Sequence, residues 1–141
     1  MPPGYFIIDE FWDYQCVVYP ETNFVNDSIH LTEKICKAAI TRSIPWPIGG
    51  AHIDVLYNQL GVKTAWNLLP DHLKSYNYEK NHVKRYTQCV EAIRWMGEHP
   101  EVLVGPEANA IREHNYTWMF ANTIDTIGVI KLDQIIQEYK K

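Results

Sequence analysis

The residues of this chain best placed to do chemistry are two adjacent glycines and the histidine that follows them, in Gly49-Gly50-Ala51-His52. Glycines at the start of a helix leave backbone N–H groups open to an anion. A histidine in the first turn is kept neutral by the helix dipole, so His52 is the candidate catalytic base. Arg42 and Lys74 are the nearby cations that would assist a small anionic ligand, a metabolite or a nucleotide. Asp54 follows His52 by two residues, about 200° around a helix, so the two do not form a dyad by spacing. The same stretch also suits a plain turn with a surface histidine after the Pro45-Trp46-Pro47 kink.

Other chemistry finds less support. The six histidines contain no i, i+4 pair and no short HxH, and the three cysteines (Cys16, Cys36, Cys89) are far apart and odd in number. Neither a metal site nor a disulfide framework follows from such spacing. The chain has no glycine-rich dinucleotide or phosphate loop, no HExxH, no EF-hand loop and no GxSxG. No cofactor is expected, and the balance leans away from an enzyme without excluding one, because triads assemble from distant residues. Basic and aromatic residues alternate over Lys74-Ser75-Tyr76-Asn77-Tyr78-Glu79-Lys80, as nucleic-acid contacts require. The overall acidic balance disfavours that reading.

Aromatic residues make up 13% of the chain, including five tryptophans, and two of these stand in stiff settings. Trp46 is flanked by two prolines, and Trp95 projects among Lys84, Gln88 and Glu91 on a helical wheel. Rigid exposed tryptophans bury much area at little entropic cost, which makes both candidate interface anchors. Charge is also segregated: residues 1–33 carry six acids and no Lys or Arg, whereas residues 34–94 carry nine bases and four acids. Folding can neutralise this internally, or one subunit's acidic end can meet another's basic region. Together these features point first to a non-enzymatic interaction protein that binds a protein partner or itself, and second to a small enzyme or ligand-binding domain at Gly49-Gly50 and His52.

The elements that must position these residues read as one globular domain over 1–141. Its class is α+β and predominantly helical, with a short N-terminal hairpin or strand pair packed on a helical core. The apolar runs Tyr5–Ile8 and Cys16–Tyr19 predict the strands. Asn26, Asp27 and Ser28 are candidate caps for a helix running to about Arg42. Prolines at 45 and 47 predict a loop over 43–50, then helices over 51–60 and 62–69 ended by Gly61 and Pro70.

The strongest periodicity spans 78–96, with Asn77 as cap and Val83, Tyr86, Cys89, Val90, Ile93 and Met96 on an apolar arc of about 140°. A brief strand over 101–104, a helix opened by Pro106, an ambiguous 115–120 and a final helix through Leu132 and Tyr139 complete the reading. No stretch is apolar enough for a membrane span, and the chain start lacks the pattern of a signal peptide. With cysteines read as free thiols, a cytoplasmic setting is expected.

Overall fold

The computed structural model describes residues 14–21 and 34–124, with side chains to 121. The expected strand Tyr5–Ile8, the caps at 26–28 and the helix through 132–139 lie outside these residues. Within them the fold is predominantly helical α+β. Strand β1 (Cys16–Pro20) pairs in parallel with β2 (Ile44–Ile48), Cys16 opposite Ile44 and Pro20 opposite Ile48. Helix α1 (Lys34–Ile40) lies between them in sequence, and α2 (Ile53–Gln59), α3 (His82–Glu98) and α4 (Pro106–Ile124) follow. Three 3-10 segments, Ala65–Leu68, Asp71–Tyr78 and Pro100–Leu103, link the later helices.

The segment expected to be a loop, 43–50, contains β2, and the reason lies in how its prolines alternate. The Ile44 N–H donates to the Gln15 carbonyl (3.0 Å) and the Ile48 carbonyl accepts from the Glu21 N–H (2.8 Å). Even-numbered residues of β2 therefore address β1, and the nitrogens of Pro45 and Pro47 point to the other side, where no donor is needed. The strand is buried on both faces, with Ile44, Pro45, Trp46 and Pro47 each below 2% exposed. It packs against α1, α2, α4 and Ala65–Leu68.

Helix ends are set by left-handed residues. After α1, Arg42 takes φ 53°, with its N–H on the Ala39 carbonyl (3.3 Å) and the Ser43 N–H on the Ala38 carbonyl (3.0 Å). After α2, Gly61 takes φ 94°, and the Gly61 and Val62 N–H groups bond the carbonyls of Asn58 (3.0 Å) and Tyr57 (2.9 Å). Both are Schellman closures, one built on glycine and one on arginine. Helix α4 seats itself on the second of them. Trp118 Nε1 donates to the Leu60 carbonyl (2.8 Å), and His114 Nε2 lies 2.7 Å from the Gly61 carbonyl.

Three expectations are corrected further along. Residues 101–104 form no strand: Pro100–Leu103 is a 3-10 turn closed by the Val102 N–H on the His99 carbonyl (3.0 Å). Of the helix expected over 62–69, only Ala65–Leu68 is helical, as a 3-10 turn, because Thr64, its cap, is extended and Val62 and Lys63 belong to no regular element. Residues 115–120 are helical within α4.

Helix α3 starts at His82, capped by Asn81, whose Oδ1 accepts from the Val83 and Lys84 N–H groups, both at 3.0 Å. Its buried line is Arg85, Cys89, Ala92 and Met96. Val83 and Tyr86, expected on the core arc, are 62% and 58% exposed. The buried face is thus rotated by about 80° from the expected one. The cause is Arg85, which turns inward because its guanidinium finds the carbonyls of Gly49 (3.1 Å), Glu79 (2.7 Å) and Lys80 (3.3 Å). Hydrogen bonds of a charged donor to fixed carbonyls offset its desolvation.

Gly61 provides a direct check on the α2 closure. A Cβ there would lie 3.0 Å from Trp118 Cδ1 and would sit on a positive φ that L residues avoid. Gly61→Ala is expected to destabilise the protein by about 1–3 kcal/mol, read as a lower urea midpoint with unchanged slope.

Candidate functional site

Asp54, on the first turn of α2, is a fully buried carboxyl. Its carboxylate accepts from Thr64 Oγ1 at Oδ1 (2.6 Å) and from the Tyr76 hydroxyl at Oδ2 (2.9 Å), and the Tyr76 oxygen in turn accepts from Trp46 Nε1 (3.0 Å). Burial pushes the Asp54 carboxyl up from 3.8 to about 7, against the opposing pull of the Thr64 and Tyr76 hydrogen bonds. A carboxyl in that range suits general acid–base work. Asp54, Thr64, Trp46 and Tyr76 are all at most 2% exposed, however, so the group is closed off from any substrate in this conformation.

A second buried carboxylate, Glu21, accepts from the Tyr57 hydroxyl (2.7 Å), which lies 3.2 Å from that of Tyr19. Burial raises both phenols above their ordinary range.

The glycine loop is occupied by its own protein. Gly49 and Gly50 are buried, and a Cβ on Gly49 would collide with the Ile53 side chain, so glycine is required there for close packing. The Gly49 carbonyl accepts from Arg85. The N–H groups of the α2 start are taken by Asn77: its carbonyl accepts from His52 and its Oδ1 from Asp54 (3.1 Å). Asn77, expected to cap the following helix, instead caps α2 across the fold. His52 is exposed, in the left-handed region at φ 68°.

The other candidates separate into two places. The His52 ring meets the edge of Tyr78 (centroids 5.6 Å), Tyr78 meets Trp66 (6.5 Å), and Lys74 Nζ stands 5.4 Å from the Trp66 centroid while pairing with Asp71 (3.6 Å). His52 and Lys74 therefore belong to one aromatic surface, through Tyr78, which lies in the basic and aromatic stretch 74–80, and Trp66, which sequence alone did not mark. Arg42 is tied to α4, by Glu113 (2.9 Å) and by stacking 3.9 Å above the Tyr116 ring.

Of the two proposed anchors, Trp46 is 1% exposed and part of the core, because its flanking prolines belong to a buried strand rather than to an exposed loop. Trp95 is half-buried, packed on the core and stacked on His99 (4.3 Å, 19°). The surface that the sequence did not reveal is Tyr78, Val83 and Tyr86, whose apolar character and spacing read as core.

Cys16 and Cys89 are free, and burial pushes both thiols up to about 12, which keeps them protonated and poor nucleophiles. Among the described residues no three His, Cys, Asp or Glu side chains are grouped to hold a metal ion, and no helix is long and apolar enough to cross a membrane.

The Asp54 proton is held in the fold up to about pH 7 but leaves near 3.8 in the unfolded chain. Unfolding between these values releases a proton, so the contribution of this group to stability is fullest below about pH 4 and declines as pH rises to about 7. The decline from this group is on the order of 4 kcal/mol. Asp54→Asn keeps the shape and removes the proton. Urea midpoints measured from acid to neutral pH should fall for the wild type and flatten for the variant, whereas parallel profiles would rule out Asp54 as the titrating group. Compared with known proteins, the chain matches no family model, no curated protein and no solved structure.

Proposed function

We propose that this chain is a non-enzymatic interaction protein, and that its binding face is the apolar surface running from Tyr78 onto the first turns of α3. The observation that carries this reading is the exposure of three large apolar residues within nine positions: Tyr78 at 53%, Val83 at 62% and Tyr86 at 58%. They sit beside the exposed cations Lys80 and Lys84. Aromatic residues on a rigid support, rimmed by charge, have the composition of a recognition patch. The support is rigid because Arg85 pins the turn at 79–80 and the Gly49 loop to the base of the same helix.

The buried rings Trp46 and Tyr76 are hydrogen-bonded to each other in the core and take no part. A partner of this face is a protein surface or a second copy, with the cations selecting acidic rims. Free thiols at Cys16 and Cys89 fit a reducing compartment such as the cytoplasm. The geometry of the Gly49-Gly50 loop does not favour an anion-binding role, since its neighbouring N–H groups are already bonded to Asn77.

A photo-crosslinking residue placed at Val83, compared with one at the exposed Glu107 of α4, tests the face directly. In the native extract the Val83 position is expected to give discrete adducts that the Glu107 position does not. Equal labelling at both, or none at either, would overturn the reading.

A further inference from the structure

Strand β1 is bonded along one side only. The Gln15 carbonyl and the Glu21 N–H both reach β2, so the odd-numbered residues of β1 address that strand. The backbone groups of Cys16, Val18 and Pro20 therefore point the other way. Among the described residues no strand lies on that side, and no acceptor takes the N–H of Cys16 or Val18. Cys16 packs its side chain on the core, whereas Tyr14, Gln15, Val18 and Pro20 are exposed, Val18 at 42%.

This side of β1 also lacks the usual protection. Native proteins guard a free strand with charged side chains, lysine above all. From Tyr14 to Pro20 the chain carries no charge, and four of the five strand residues precede Pro20, the one position without a donor.

We propose that the free side of β1 is a self-association surface, on which β1 of a second copy pairs antiparallel about a twofold axis to make one four-stranded sheet. The occupant follows from the pattern of donors and acceptors. With the axis at Val17, Cys16 of each copy and Val18 of the other exchange N–H and C=O groups. With the axis at Val18, the two Val18 residues exchange theirs, and each Cys16 N–H meets the Pro20 carbonyl of the other copy. Either register gives four hydrogen bonds and leaves no outward N–H of the strand without an acceptor. No charge on the paired stretch repels the copy, and an isologous contact closes at two chains.

The contact is small, since a strand of five residues is about 17 Å long. Association is therefore concentration-dependent and weaker than at standard interfaces. It uses a different part of the molecule from the α3 face and does not rest on the reading of that face.

Sedimentation of the full chain from about 1 µM to about 1 mM is expected to show a monomer–dimer equilibrium. Val18→Pro removes an outward N–H and no bond between β1 and β2, so the fold is kept, which circular dichroism verifies. Dimerisation should weaken at least about tenfold. Val18→Lys and Val18→Glu leave the backbone untouched and place like charges opposite or diagonal to each other across the pair. Each variant alone should weaken association to a similar extent, and an equimolar mixture of the two should recover it. Amide exchange reads the unsubstituted chain: the Val18 N–H should exchange more slowly at high concentration, whereas that of Tyr19, which addresses β2, is protected throughout.

A wild type that stays monomeric throughout overturns the proposal. So do dimers that persist in Val18→Pro and Val18→Lys, or a mixture of the Val18→Lys and Val18→Glu variants that does not recover. Crosslinking from Val83 in the Val18→Lys background reads the α3 face separately, so the failure of one surface is distinguished from the failure of the other.

Discussion

The Asp54 carboxyl is the point through which separate pieces of this protein are fastened to one another. It belongs to α2, but its two oxygens take hydrogen bonds from Thr64 and Tyr76, and Tyr76 takes one from Trp46 on β2. Four stretches of chain thus share one buried network. Such a network costs desolvation, and an apolar core of the same shape would match or exceed its stability. What it supplies is geometry: a hydroxyl or indole N–H finds its acceptor in only one arrangement, so the partners of α2 are fixed. Asn77 completes the arrangement by closing the N–H groups of His52 and Asp54 from the segment that also carries Tyr76.

Two buried arginines extend the same logic toward the periphery. Arg85 gathers carbonyls from the Gly49 loop and the 79–80 turn, and Arg112 gathers those of Gln15 and Leu103 with the amide oxygen of Asn109. Carbonyls at the ends of short elements have few partners of their own. A guanidinium offers several donors in a fixed fork. The irregular connections of this fold are therefore organised by side chains reaching from α3 and α4, and little regular ladder is needed.

Features dictated by local chemistry could be read from the chain. The aromatic and β-branched run at Cys16–Tyr19 is a strand, Gly61 ends α2, and Pro106 opens α4. Features decided by tertiary partners could not. The buried face of α3 depends on Arg85 finding the Gly49 carbonyl, 36 residues away, besides those of the 79–80 turn, and periodicity alone puts Tyr86 inside and Arg85 outside. Asn77 and Asn81 are equally good caps by type, and only the fold assigns the first to α2 and the second to α3. The candidate site divided in the same way. His52 and Lys74 are joined by Tyr78 and Trp66, Arg42 went to α4, and Trp46 became core once its prolines joined a strand.

Those prolines have a consequence for how this protein meets other chains. A strand edge normally offers alternating N–H and C=O groups, a template on which a foreign strand can add. Along the outer side of β2 the donors are missing at both Pro45 and Pro47, so no ladder can grow there. That border of the sheet is sealed against strand addition and against the runaway polymerisation that open edges invite. A contact with another chain on this side of the molecule would have to be made by side chains, with no backbone ladder to propagate it.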